Sequence, residues 1–122
     1  LFTLPIDDIF NSYSGDSKNF SFSGEVFDGY FEDIKFISPL EFTIKIIGLE
    51  DAIDVVFEDL KTRVEYEGKK HDIHIAGFDR TWKTHIDPLD DADDIRQIDT
   101  KNMSIDLAPV IREEIVMACH EL

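Results

Sequence analysis

Apolar and polar residues alternate with a period of two along most of this chain, and that period predicts strands. Leu40, Phe42, Ile44 and Ile46 take one side of an extended segment while Glu41, Thr43 and Lys45 take the other. Upstream, Phe20, Phe22 and Val26 alternate with Ser21, Ser23 and Glu25, and Gly24 interrupts the run where a bulge would fit. Phe27-Asp28-Gly29-Tyr30 carries the Asp-Gly signal of a turn. A strand over 31–38 follows, with Ile34 and Phe36 on one face, and Ser38-Pro39 ends it. After the turn at Gly48-Leu49-Glu50-Asp51, Ile53, Val55 and Phe57 oppose Asp54, Val56 and Glu58. A helix over 51–60 would also fit, but the β-branched residues favour a strand. Thr62, Val64 and Tyr66 alternate with Arg63, Glu65 and Glu67 up to Gly68-Lys69-Lys70. The return strand through Ile73, Ile75, Phe78, Arg80 and Trp82 is expected to bend or bulge at Gly77.

Helical spacing occurs at the two ends. Ile6, Ile9 and Phe10 share a face within 1–13, with Thr3 as a cap and Pro5 in a tolerated place, which predicts a short helix or turn. A polar connector over 11–19 follows it. At the other end, Leu107, Val110, Ile111, Ile115 and Ala118 recur at three and four, the spacing of an amphipathic helix. Asp106 would cap that helix and Pro109 falls in its first turn, where a missing N–H costs nothing. Between the hairpin and this helix, 84–101 reads as a long polar connection. Strands followed by one helix predict an α+β fold. The expected sheet is mostly antiparallel, strongly twisted or partly closed, with the C-terminal amphipathic helix packed on a sheet containing Leu40 to Ile47. The 122 residues are expected to form a single domain, 1–122.

Composition changes the picture mainly through charge. An apolar fraction of 43% with ten phenylalanines supports a globular chain rather than a disordered one. Twenty-seven acidic against twelve basic residues give a net charge of −15. Phosphate binding needs clustered Lys and Arg, so direct nucleic-acid binding is not expected. Such a surface attracts basic partners and holds off anionic ones, although net charge also serves solubility alone. One cysteine excludes an internal disulfide and points to a reducing, cytoplasmic compartment. No secretory signal and no membrane span are expected; the missing initiator methionine leaves a removed leader open.

The stretch Ile105-Asp106-Leu107, then Pro109-Val110-Ile111-Arg112-Glu113-Glu114-Ile115, resembles the signature of the large ribosomal RNA subunit accumulation protein family (the YceD family). That signature is an acidic loop, an Ile-Asp-Leu tripeptide and a helix with an Arg-Glu-Glu-Ile or Lys-Glu-Ile core. The residues that carry the resemblance are Ile105, Asp106, Leu107, Pro109, Arg112, Glu113, Glu114 and Ile115. Earlier strands match only in general pattern. Family members commonly carry a Cys-x-Arg-Cys pair within the sheet and further cysteines after the helix, whereas this chain has Cys119 alone. What the resemblance implies is a non-enzymatic role in ribosome biogenesis, supporting accumulation of large-subunit ribosomal RNA.

Candidate chemistry is sparse. The run Asp87-Pro88-Leu89-Asp90-Asp91-Ala92-Asp93-Asp94 fails the calcium-loop spacing, because Ile95 or Arg96 falls where that loop needs its glycine. A solvated acidic loop, held extended by its own repulsion, is the plain reading. The sharper reading makes Asp87, Asp90, Asp91, Asp93 and Asp94 a contact for a basic protein, such as a ribosomal protein or an RNA-processing factor. His71 and His74, three apart on a strand, face opposite sides, which spoils a shared metal site. Cys119 sits on an apolar face as a small hydrophobe. Glu65 and Asp79 could pair, and Trp82 with Arg80 reads as a sheet pair rather than a ligand stack. No nucleophile elbow, phosphate-cradling loop or HExxH is present. No cofactor and no metal are expected, and the chain reads as not an enzyme. The alternatives are an acidic nucleic-acid mimic or inhibitor and a hydrolase with carboxylate-bound metal.

Overall fold

The computed structural model describes residues 2–10, 17–90 and 95–120. Among them the elements run β1 (Thr3–Pro5), α1 (Asp7–Phe10), β2 (Ser17–Gly24), β3 (Ile34–Phe36), β4 (Leu40–Gly48), β5 (Ala52–Tyr66), β6 (Lys69–Lys83), β7 (Ile95–Gln97), β8 (Ser104–Asp106) and α2 (Ala108–His120). The larger sheet has the order β2-β4-β5-β6-β7, with β3 pairing β5 off that path, and β1 and β8 form a second sheet. Antiparallel pairing holds for β3 on β5, with Lys35 opposite Glu65. The two-residue turn Glu67-Gly68, left-handed at both positions (φ 54° and 77°), makes β5 and β6 an antiparallel hairpin. β7 departs from the expectation. It lies parallel to β6, Trp82 opposite Arg96, so the sheet is mixed. The described strand order is open, from β2 at one edge to β7 at the other, and the partly closed alternative does not hold.

By contacts the chain divides into two compact units, Leu1–Asn19, Ile44–Val56 and Asp79–Ala108 forming one, and Phe20–Thr43, Phe57–Phe78 and Pro109–Leu122 the other. In the first, β1 pairs antiparallel with β8, Leu4 opposite Ile105. The Ile6 N–H to the Met103 carbonyl and the Leu107 N–H to the Phe2 carbonyl, both 2.9 Å, extend that pairing at its two ends. Its core contains Phe2, Ile6, Ile46, Ile53, Trp82, Ile98, Ile105 and Leu107. In the second unit a row of rings crosses four strands: Phe22 on Phe42 (5.4 Å), Phe42 on Phe57 (5.9 Å), Phe57 on Phe78 (4.4 Å). Offset aromatic neighbours of this kind stabilise a sheet beyond their burial. α2 buries Val110, Ile111, Ile115 and Cys119 in that unit, and its last residue, His120, lies edge-on to Tyr66 of β5.

Several sequence expectations are corrected. The N-terminal segment is a strand before it is a helix, because β8 offers Thr3–Pro5 an edge. The expected connector over 11–19 falls outside the described residues for 11–16, while Ser17, Lys18 and Asn19 open β2. The strand expected over 31–38 contracts to Ile34–Phe36. The 84–101 connection holds β7 and a buried Ile98. Residues 104–106 form β8, so α2 starts at Ala108 and Leu107 is buried ahead of it. β5 is one strand whose buried positions shift from odd (Ile53, Val55, Phe57) to even (Leu60, Thr62, Val64). The shift is made at Glu58-Asp59, both exposed, with Asp59 left-handed at φ 51°, the conformation that one class of bulge uses. β6 makes the matching shift between Ile73 and Trp82, around the bend read at Gly77.

Candidate functional site

The acidic run after β6 is a closed turn where the structure describes it, not an extended one. The Asp90 N–H donates to the Asp87 carbonyl at 3.0 Å, and the Asp87 N–H donates back to Asp90 Oδ2 at 2.9 Å. Pro88 occupies the second turn position, where its fixed φ is favoured. Lys83, the last residue of β6, donates from Nζ to both Asp90 oxygens at 3.1 and 3.2 Å. The Asp87 N–H first, and Lys83 second, hold the Asp90 carboxyl below the usual carboxylate range, while Asp90 raises Lys83. Local pairing therefore overcomes the repulsion expected from composition. Asp90 is a fastener with its side chain only 17% exposed, Asp87 stays in water, and Leu89 stands at the tip. Asp91, Asp93 and Asp94 lie outside the described residues.

The residues carrying the family resemblance are divided between core and surface. Ile105, Leu107 and Ile115 are buried. Asp106 Oδ1 accepts the Ala108 N–H at 3.0 Å, which satisfies one free donor at the start of α2. Pro109 is exposed and Glu113 and Glu114 are half-buried. Arg112 grips the Asp33 carboxylate with two hydrogen bonds, one of 3.1 Å from Nε and a second from its terminal nitrogen to Oδ2. That grip lowers the Asp33 carboxyl and raises Arg112. Arg112 of the Arg-Glu-Glu core is thus engaged within the chain.

Asp33 also lines an acidic concavity. A groove of about 340 Å³ is lined by Asp28, Gly29, Phe31, Glu32, Asp33, Ile34, Lys35, Glu65, Glu67 and Gly68. Arg112 neutralises Asp33, and Lys35 stands opposite Glu65 across the β3–β5 pairing. Asp28, Glu32 and Glu67 complete its acidic lining, and Glu67 shares a side-chain hydrogen bond with Tyr66. The groove is shaped by two turns, at Gly29 (φ 89°) and Glu67-Gly68, and a Cβ at either glycine would meet nothing within 4 Å. Its Phe31 wall is braced by Tyr30 at 4.9 Å, and Tyr30 by the exposed Phe27 at 5.2 Å. Sequence reading missed this groove, because its acids come from two stretches some thirty residues apart and neither is a charge run. A second, larger groove of about 480 Å³ is lined by Ser38, Glu41, Lys61, Arg63, Asp72 and His74 among others. Its charges largely cancel, as in the Arg63–Asp72 pair at 3.3 Å.

The remaining candidates are placed as follows. His74 Nε2 lies 3.6 Å from Asp59. Cys119 is buried, and burial first, with Glu67 nearby, pushes its thiol up and away from the reactive thiolate. Asp79 acts on Asp54, whose carboxyl is raised by burial first and by Asp79 second, while Glu65 lines the acidic groove. Trp82 is core. Among the described residues no three His, Cys, Asp or Glu side chains converge as metal ligands. No helix among them is long and apolar enough to cross a membrane. No family model, no curated protein and no solved structure matches this chain.

Proposed function

We propose that this chain is a non-enzymatic binding domain of ribosome biogenesis, supporting large-subunit ribosomal RNA accumulation by holding a basic protein partner on its acidic surface. The class of process rests on the resemblance of 105–115. The mode of action rests on charge: at −15 the chain repels nucleic acid and attracts cationic proteins. The observation that carries the reading is the groove where Asp28, Glu32, Asp33, Glu65 and Glu67 gather beside Phe31, with Lys35 as the one cation in its described lining. Carboxylates with aromatic faces suit Lys and Arg side chains, through ion pairing and cation–π contact. A lone, buried cysteine suits a reducing, cytoplasmic setting.

The test is association kinetics against purified basic ribosomal proteins at low and high salt. The wild type is run beside a triple variant Asp28→Asn, Glu32→Gln, Glu67→Gln. Binding should be fast at low salt and weaken at high salt, and the variant should associate roughly 10-fold more slowly. Equal rates for wild type and variant, at both salt concentrations, would remove the groove from the mechanism. Competition by nucleic acid for the same partner would favour the mimic reading instead.

A further inference from the structure

Leu89 is 98% exposed, whereas the other exposed large apolar side chains among the described residues lie between 36% and 65%. A single apolar side chain on a surface is ordinary. What sets this one apart is the backbone beneath it. The turn is closed by the Asp90 N–H on the Asp87 carbonyl and by the Asp87 N–H on the Asp90 carboxylate. Lys83 ties the same carboxylate to the end of β6, and Pro88 fixes the φ of the residue before Leu89. The turn's shape is therefore set by bonds within the chain, which lowers the ordering entropy that binding must supply.

Chemistry then narrows the partner. A leucine gains by leaving water, and in this turn it projects from the fold without apolar cover. Asp87 beside it is exposed, and the chain as a whole carries a net charge of −15. An apolar pocket with an acidic rim would be repelled, and one with a cationic rim attracted. We propose that Leu89 is an apolar anchor that docks this turn into a small apolar pocket, rimmed by Lys or Arg, on a basic protein. The proposal rests on the reading that the chain holds a basic protein. Asp90 and Lys83 position the anchor, and Asp87 steers its approach.

The test uses the full chain and a panel of purified basic proteins, ribosomal proteins among them, measured by biolayer interferometry. Leu89→Ser should dissociate faster and lose about 10- to 100-fold in affinity. Leu89→Met, which keeps an apolar side chain, should retain the affinity. Both should keep the wild-type melting temperature, since the side chain touches no core. Binding that survives Leu89→Ser undiminished overturns the anchor, while the acidic-surface reading stands if salt or the triple groove variant still weakens it. Absence of binding by every member of the panel overturns both.

Discussion

Ile111 and Arg112 are neighbours in α2 and serve different ends. Ile111 is fully buried, so Ile111→Ala removes methylenes and leaves a cavity. Such a change should cost about 2–5 kcal/mol, read as a lower denaturant midpoint, and an unshifted midpoint would put the buried face of α2 elsewhere. Its burial was legible in the sequence, because a spacing of three and four selects one helix face. Arg112 faces water, and its partner Asp33 lies 79 positions away. No local pattern marks that pair. Asp90 shows the same limit: it reads as one of five like charges until Lys83 and the Asp87 N–H close on it.

At the level of elements, alternation identified β4 and both arms of the hairpin, since one wet and one dry face impose a period of two. It broke β5 in two, because the bulge at Asp59 reverses which positions are buried. The turn between β5 and β6 holds a testable misfit. Glu67 adopts φ 54° at a position that Asn, Asp or Gly occupies more easily. Glu67→Asn should stabilise the hairpin by roughly 1 kcal/mol, measured by chemical denaturation. No gain would mean that the turn relaxes without help from residue 67. β8 was invisible inside the expected helix start, because three residues become a strand only when Thr3–Pro5 lies beside them.

For the whole molecule, two charge effects oppose each other as pH falls. Self-repulsion at −15 weakens as carboxylates are protonated, which stabilises the fold. Asp33, Asp90 and Asp99 have lowered folded-state values, from Arg112, from the Asp87 N–H and Lys83, and from Asn102 respectively. A depressed carboxyl contributes stability above its unfolded value, near 4, and loses it as pH falls through the folded one. Asp54, whose value is raised, works the other way and is relieved on acidification. The melting temperature should therefore rise from neutral pH toward about 5 and drop below about 4. At neutral pH added salt should raise it by screening the repulsion. A melting temperature that falls with salt at pH 7 would show that attractive pairs outweigh the net charge.

The sequence by itself determined a strand-rich chain, a C-terminal amphipathic helix, an Asp106 cap and an acidic surface. Each of these depends on neighbours within a few residues or on a simple sum of charges. Only the tertiary structure decided that β7 runs parallel, that Asp90 is a fastener and not a free charge, and that Arg112 is held by Asp33. It alone placed Asp28, Glu32 and Glu67 along one groove. Those outcomes depend on which distant segments meet, and the energies that choose among pairings act between residues that no local period connects.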